Sequence, residues 1–236
     1  LMLSQGGTED LSMTEVMEAL YPMAAGVSAQ PDKEVTTFIG RAHRDHLEPF
    51  FSIFRERLQK PRFDPADFER NKNQLLNFLT KSLRSANDEE LGKQSLEWMM
   101  YEDHPYRHPV QGTVQGVESL TLDDVKTFYR ERYTFGNLQI GLAGNLPEGF
   151  PERVREDFKK GLPSGATKAA ELPNVARDKG LDVTIVARDG ADSTAISLGF
   201  PIDLTRADVS SYFMTPGGSG VGGGRYEGVM RLDDDG

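Results

Sequence analysis

TLDDVKTFYRERYTFGNLQIGLAGN, residues 121–145, sets a capped helix directly in front of a strand. Thr121-Leu-Asp-Asp124 caps that helix, and Asp123 and Asp124 put negative charge at its N-terminus, which complements the helix dipole. Val125, Phe128 and Tyr129 follow at helical spacing. Asn137–Ala143 then switches to a β-rich apolar run, NLQIGLA, which reads as a strand. Outward toward the C-terminus, Pro151–Lys160 reads as a short charged helix. Toward the N-terminus, Asn87-Asp-Glu-Glu90 opens a helix carrying Leu91, Leu96 and Met99. Asp64 with Pro65 at the first helical position opens a longer one, reaching about Arg84, on Phe68, Leu75, Leu76 and Leu79. Asp45-His-Leu-Glu48 is a capping candidate before Phe50, Phe51, Phe54 and Leu58, a stripe that Pro61 ends.

Further upstream, Val27–Gln30 and Glu34–Ala42 read as a pair of strands, the second alternating through Val35, Thr37 and Ile39. Ser12-Met-Thr-Glu15 is a capping box for a helix over about 13–24, with Val16, Leu20 and Met23 on its face. The elements are segregated rather than strictly alternating. That order implies α+β: a two-layer sandwich of mainly antiparallel sheet with helices on one face, followed by the start of a second homologous unit. The divisions are 1–162 for the first domain, 163–179 for a linker and 180–236 for the start of the second. In the last part, Leu181–Ala187 and Ser193–Phe200 read as a hairpin. Six of the nine residues in Pro216–Gly224 are Gly, which gives a flexible tail. The apolar start Leu1-Met2-Leu3 reads as the end of a buried helix in a fragment lacking its N-terminal part.

Composition removes several classes of function. The 236 residues carry 27 Lys+Arg against 37 Asp+Glu, a net charge of -10, which disfavours a non-specific nucleic-acid binder. With 0 Cys, the chain has no disulfides, thiolate metal sites or cysteine nucleophiles. No apolar run is long enough to span a bilayer. Two histidine clusters stand out. His43-Arg-Asp-His46-Leu-Glu48 has ligand-type side chains, but Asp45 is wanted as a cap and a helix start separates the two imidazoles. His104-Pro-Tyr-Arg-His108-Pro lies in a proline-bounded loop with no nucleophile beside it. Both read as structural. No phosphate-binding loop, nucleophile elbow or complete H-E-x-x-H occurs.

The order of motifs carries more than any one of them: GGT after a short apolar helix end, VSAQPDKEVTTF, a Pro-Arg-Phe turn into DFER, HPYRHPVQGT, and TLDDVKTFYRERYTFGNLQIGLAGN. Together they resemble the insulinase/pitrilysin family of zinc metallopeptidases, the inverzincins, including the bacterial members similar to mitochondrial processing peptidase. The resemblance covers about Leu1 to Gly165, with a weaker echo over Val183–Asp203. It implies a two-layer α+β unit used in duplicate, closing over an unfolded peptide, with zinc as the family cofactor. It also implies H-x-x-E-H on a helix and a further Glu from a later helix. Set on this chain, the second His position falls on Leu1 and the remote Glu position, counted from Glu69-Arg70, falls on Leu76. Leu offers no electron pair, so the resemblance implies a segment that is non-catalytic and holds no metal. What remains is peptide binding on the strand Val27, Ser28, Ala29 and Gln30, where the family pairs its backbone with substrate. The partners implied are a peptide or unfolded polypeptide and a homologous catalytic subunit or second half, with no nucleic acid and no membrane span. Two other readings stay open: a piece of an active zinc metalloendopeptidase with its H-x-x-E-H upstream, and a scaffold or interaction module. The compartment, whether bacterial periplasm, secreted or cytoplasm, is left open.

Overall fold

A computed structural model describes residues 1–167, 172–173, 175, 180–188, 190 and 194–200. The described residues are α+β, mostly helical, with one two-stranded sheet. They fall into two compact units: residues 1–30, 36–74 and 118–170, and residues 31–35, 75–117 and 171–236, the latter including stretches outside the described residues.

In the first unit, α1 (Met2–Gln5) leads through Gly6-Gly7 to α2 (Met13–Leu20). The Ser12–Glu15 capping box forms as the sequence requires. The helix then tightens to a 3-10 turn at Tyr21–Met23, because Pro22 brings no amide to continue it. Ala24, in the left-handed region at φ 46°, turns the chain into β1 (Gly26–Pro31), which pairs with β2 (Thr36–Arg41). The cap at the next helix differs from expectation. The His43 imidazole, not Asp45, accepts from the Asp45 amide and starts a 3-10 turn before α3 (Leu47–Gln59). Helix α3 is the centre of the unit. Phe51 and Leu58 pack with Leu3 and with Phe150, Val154 and Phe158 of α9 (Phe150–Gly161). Phe50 and Ile53 pack with Val16, Leu20 and Met23. The sheet comes close to α3 at Gly40, where an added Cβ would lie 2.7 Å from Phe50 and 2.9 Å from Phe54.

Helix α4 (Pro65–Asn77) begins in this unit on the Asp64 cap, whose carboxylate accepts from the Ala66 amide at 2.7 Å. Helix α8 (Leu122–Arg132) starts on the Thr121–Asp124 capping box. The strand expected at 137–143 does not form. Residues 135–137 make a 3-10 turn, and 138–143 carry no ladder among the described residues. Backbone pairing goes instead to Phe135 and Gly136, whose amides donate to the carbonyls of Pro163 and Gly165. Ile140 and Leu142 are left half-exposed. Alternation alone does not make a strand; a second backbone must lie alongside to accept its hydrogen bonds.

In the second unit, the helix begun by α4 passes through a π-turn at Phe78–Ser82 into α5 (Leu83–Ala86). There the Leu83 amide reaches back to Phe78. Helix α6 (Asp88–Met100) starts on the Asn87 cap, as its sequence requires. Helix α7 (Val114–Ser119), which the sequence reading passed over, supplies Val117 to a small core with Leu79 and Leu83. The hairpin expected over 181–200 is also corrected: its described residues, 181–188 and 194–200, carry no strand pairing. Ser193 and the Gly-rich tail lie outside the described residues.

Candidate functional site

The residues singled out for peptide contact, Val27, Ser28, Ala29 and Gln30, all lie on β1. Val27 and Ala29 are half-buried, and Val27 packs against the Val16–Leu20–Met23 core. Gly26, Ser28 and Gln30 are exposed on the opposite face. A Cβ built on Gly26 would meet nothing within 4 Å. Strand β1 pairs with β2 on one side, and among the described residues no strand lies on its other side. That edge of β1 therefore carries no ladder hydrogen bonds among the described residues, and at its end Pro31 lacks a donor. Beside the start of β1 opens a groove of about 530 Å³, lined by Met17, Leu20, Tyr21, Pro22, Ala24 and Ala25.

The two positions set on metal ligands by the resemblance are both leucine and lie in different units. Leu1 is the N-cap residue of α1 and is 55% exposed. Leu76 packs against the Leu79–Leu83–Val117 core. Where α1 faces α4, the contacts are structural. The Asn71 amide donates to the Met2 sulfur at 3.4 Å, and the Gly7 amide donates to the Asp67 carboxylate at 3.3 Å. Arg70 bridges Asp67 and the Gln5 carbonyl. Glu69 points to solvent. His43 and His46 lie on an exposed corner with ring centres 6.4 Å apart. Among the described residues no group of three or more His, Asp or Glu side chains could hold a metal ion. These residues do not fit the family zinc.

Two features carry no signal in the sequence, and a third, His104, is legible there only as part of a structural, proline-bounded loop. Arg57, on α3, is 2% exposed, and among the described residues no carboxylate pairs with it; its guanidinium donates to the carbonyls of Ser4 at 2.6 Å and Gly6 at 3.2 Å. Burial pulls its pKa down. With Asp67, which accepts from the Gly7 amide, it holds the Gly6-Gly7 turn. In the second unit, the Lys33 ammonium lies 2.7 Å from Glu97 and donates to the carbonyls of Tyr106 and His108, each at 2.8 Å. There also His104 is buried, and its Nδ1 accepts from the Tyr106 amide at 3.1 Å. It caps the 3-10 turn Pro105–Arg107 between two tyrosine rings. The Tyr106 hydroxyl donates to Glu34. Contacts spanning fifty or more residues, as those of Arg57 and Lys33 do, leave no periodic trace.

Comparison with known proteins follows the same line. Residues 1–114 match the family model described as Insulinase (Peptidase family M16). A protein of Mycobacterium bovis named as an uncharacterized zinc protease is 25% identical over 194 residues, covering 81% of this chain and 44% of its own length. A probable mitochondrial-processing peptidase subunit beta of Arabidopsis thaliana is 21% identical over 167 residues, or 70% of this chain and 31% of that protein. Among solved structures, the peptidase M16 inactive domain from Pseudomonas fluorescens superposes with a TM-score of 0.67 at 25% identity, over 75% of this chain and 43% of that one. A protease from Helicobacter pylori gives 0.66 at 16% identity over 80% of this chain and 46% of that one, a likeness of fold. The chain thus spans less than half the length of the curated relatives it matches.

Proposed function

We propose that this chain, whose residues 1–114 match the insulinase (peptidase family M16) model, belongs to that family and is a peptide-binding, non-catalytic portion of a peptidase-like protein. The observation that carries the reading is β1: an edge strand with one side unpaired, its start open to solvent and its inner face seated on a firm core. Such an edge takes an extended polypeptide by main-chain hydrogen bonds and is indifferent to most of its sequence. Val27, Ser28, Ala29 and Gln30 form the contact, with the Ser28 hydroxyl and Gln30 amide on the exposed face.

Leu at positions 1 and 76 supports the non-catalytic part of the reading, since neither can donate to zinc. A catalytic zinc, where a full-length protein holds one, is supplied by other residues: a homologous catalytic subunit or a second half. The complete unit is a two-layer sandwich in which β1 and β2 are part of a larger antiparallel sheet. In sequence it is divided as 1–162, a linker 163–179, and the start of a homologous domain at 180–236.

The test is photocrosslinking. An unfolded polypeptide carrying a photoreactive residue is irradiated with the protein, and the adduct is mapped by mass spectrometry. Adducts concentrated on Val27–Gln30 are expected, with zinc titration of the same sample showing no stoichiometric uptake. Adducts spread elsewhere would overturn the binding strand. Submicromolar zinc binding lost on changing Glu69 or His43 would overturn the non-catalytic assignment.

A further inference from the structure

Helix α2 carries two apolar faces, and the core uses one of them. Val16 and Leu20 are buried with Met23. Met17 on α2 and Tyr21, the cap residue just past its end whose amide donates to the Met17 carbonyl, lie on one side and remain 53% and 86% exposed. With Leu20, Pro22, Ala24 and Ala25 they line the groove of about 530 Å³, and no charged side chain lines it. The groove is continuous with β1. Ala25 lines it and directly precedes Gly26, and Ala25 shares its side of the chain with Val27 and Ala29, the half-buried face. A strand added to β1 places alternate side chains on each face, and the residue opposite Ala25 projects over α2.

We infer that the groove between α2 and the start of β1 is a side-chain subsite that makes the strand prefer peptides bearing an aromatic or long aliphatic residue at one position. The inference rests on the reading of β1 as the peptide-binding edge. Backbone pairing supplies register, and the groove selects within it. An unbranched thioether at Met17 and an amphipathic ring at Tyr21 suit this task, because the first adapts its shape and the second buries area at small entropic cost. A charged guest side chain at the same position would lose water and meet no partner.

The experiment uses fluorescently labelled ten-residue peptides with a Thr/Ser background and one central guest: Phe, Leu, Glu or Lys. Affinities are measured by anisotropy on the parent chain and on Met17→Glu and Tyr21→Glu, whose parent side chains are exposed enough that the core is untouched; circular dichroism checks that each variant keeps the parent's helix content. Phe and Leu peptides should bind about fivefold or more tightly than Glu and Lys peptides. Either substitution should reduce that preference at least threefold, with binding of the Lys peptide retained. A parallel Phe peptide, N-methylated on alternate amides, separates the two ideas. If guests bind equally while N-methylation abolishes binding, the subsite is wrong and the edge strand stands. If N-methylation leaves affinity unchanged, the edge-strand reading falls and the subsite with it. If the Phe preference survives both substitutions, the groove has been misplaced.

Discussion

Arg57 offers the sharpest test of how the first unit is held. Its guanidinium is buried and faces two carbonyls at 2.6 and 3.2 Å, and among the described residues no carboxylate pairs with it. Each hydrogen bond from a charged donor is worth about 1.5–3 kcal/mol. Against this stands the lost hydration of the ion, several kcal/mol, which truncation would recover. Its buried methylenes add ~0.8 kcal/mol each. Arg57→Ala removes the bonds and the packing and leaves the Ser4 and Gly6 carbonyls buried without a donor; the net loss should be about 3 kcal/mol. Arg57→Met keeps most of the stem, so its loss should be smaller, about 1–2 kcal/mol. Urea unfolding at neutral pH reads both, with the slope checked for constancy. Amide exchange should localise the change, because the Gly7 and Thr8 amides, bonded to Asp67 and the Leu11 carbonyl, would exchange faster in both variants. The reasoning is wrong if Arg57→Ala costs under 0.5 kcal/mol, or if Arg57→Met is more stable than the parent. The second result would mean that desolvation outweighs the two bonds.

Two further predictions concern groups with shifted titration. Burial, then the hydrogen bond and repulsion from Asp10, raise the pKa of Glu56 above its ordinary value. A raised carboxyl binds more protons folded than unfolded, so its contribution to stability falls as pH rises through the folded pKa. Glu56→Gln should therefore gain stability relative to the parent at neutral pH and lose that advantage below the ordinary carboxylate range; a pH-independent difference in urea midpoints would contradict this. Burial, helped by Tyr133, lifts the Tyr129 phenol to about 12, and its hydroxyl donates to the carbonyls of Leu58 at 2.7 Å and Gln59 at 3.1 Å, at the end of α3. Tyr129→Phe should cost about 1 kcal/mol. Ultraviolet difference titration should show a tyrosine step near 12 in the parent that is absent from the variant.

What was legible in the sequence was local. The Ser12–Glu15 and Thr121–Asp124 boxes and the Asp64 and Asn87 caps join residues three or fewer positions apart, and all four form. The α+β class and the resemblance to the insulinase family followed from the order of such elements. The 137–143 run failed for the opposite reason, because a strand is a relation to another backbone and its own alternation names no partner. Arg57 and Lys33 were illegible because their partners lie fifty to seventy-five residues away. Nothing near position 76 in the sequence foretold its neighbours, the leucines of a small core.

The π-turn at Phe78–Ser82 has a consequence for comparison by residue spacing. Each residue advances an α-helix by about 100°, and one widened turn puts an additional residue into the winding. Leu76 precedes that turn, so counting forward from Glu69 reaches it in phase. Leu83 and Arg84 follow the turn, and the same count lands them roughly one residue's rotation away. A relative with an uninterrupted helix here shows the same face only when its sequence is one residue shorter. A gapless alignment across this turn would set unlike faces side by side.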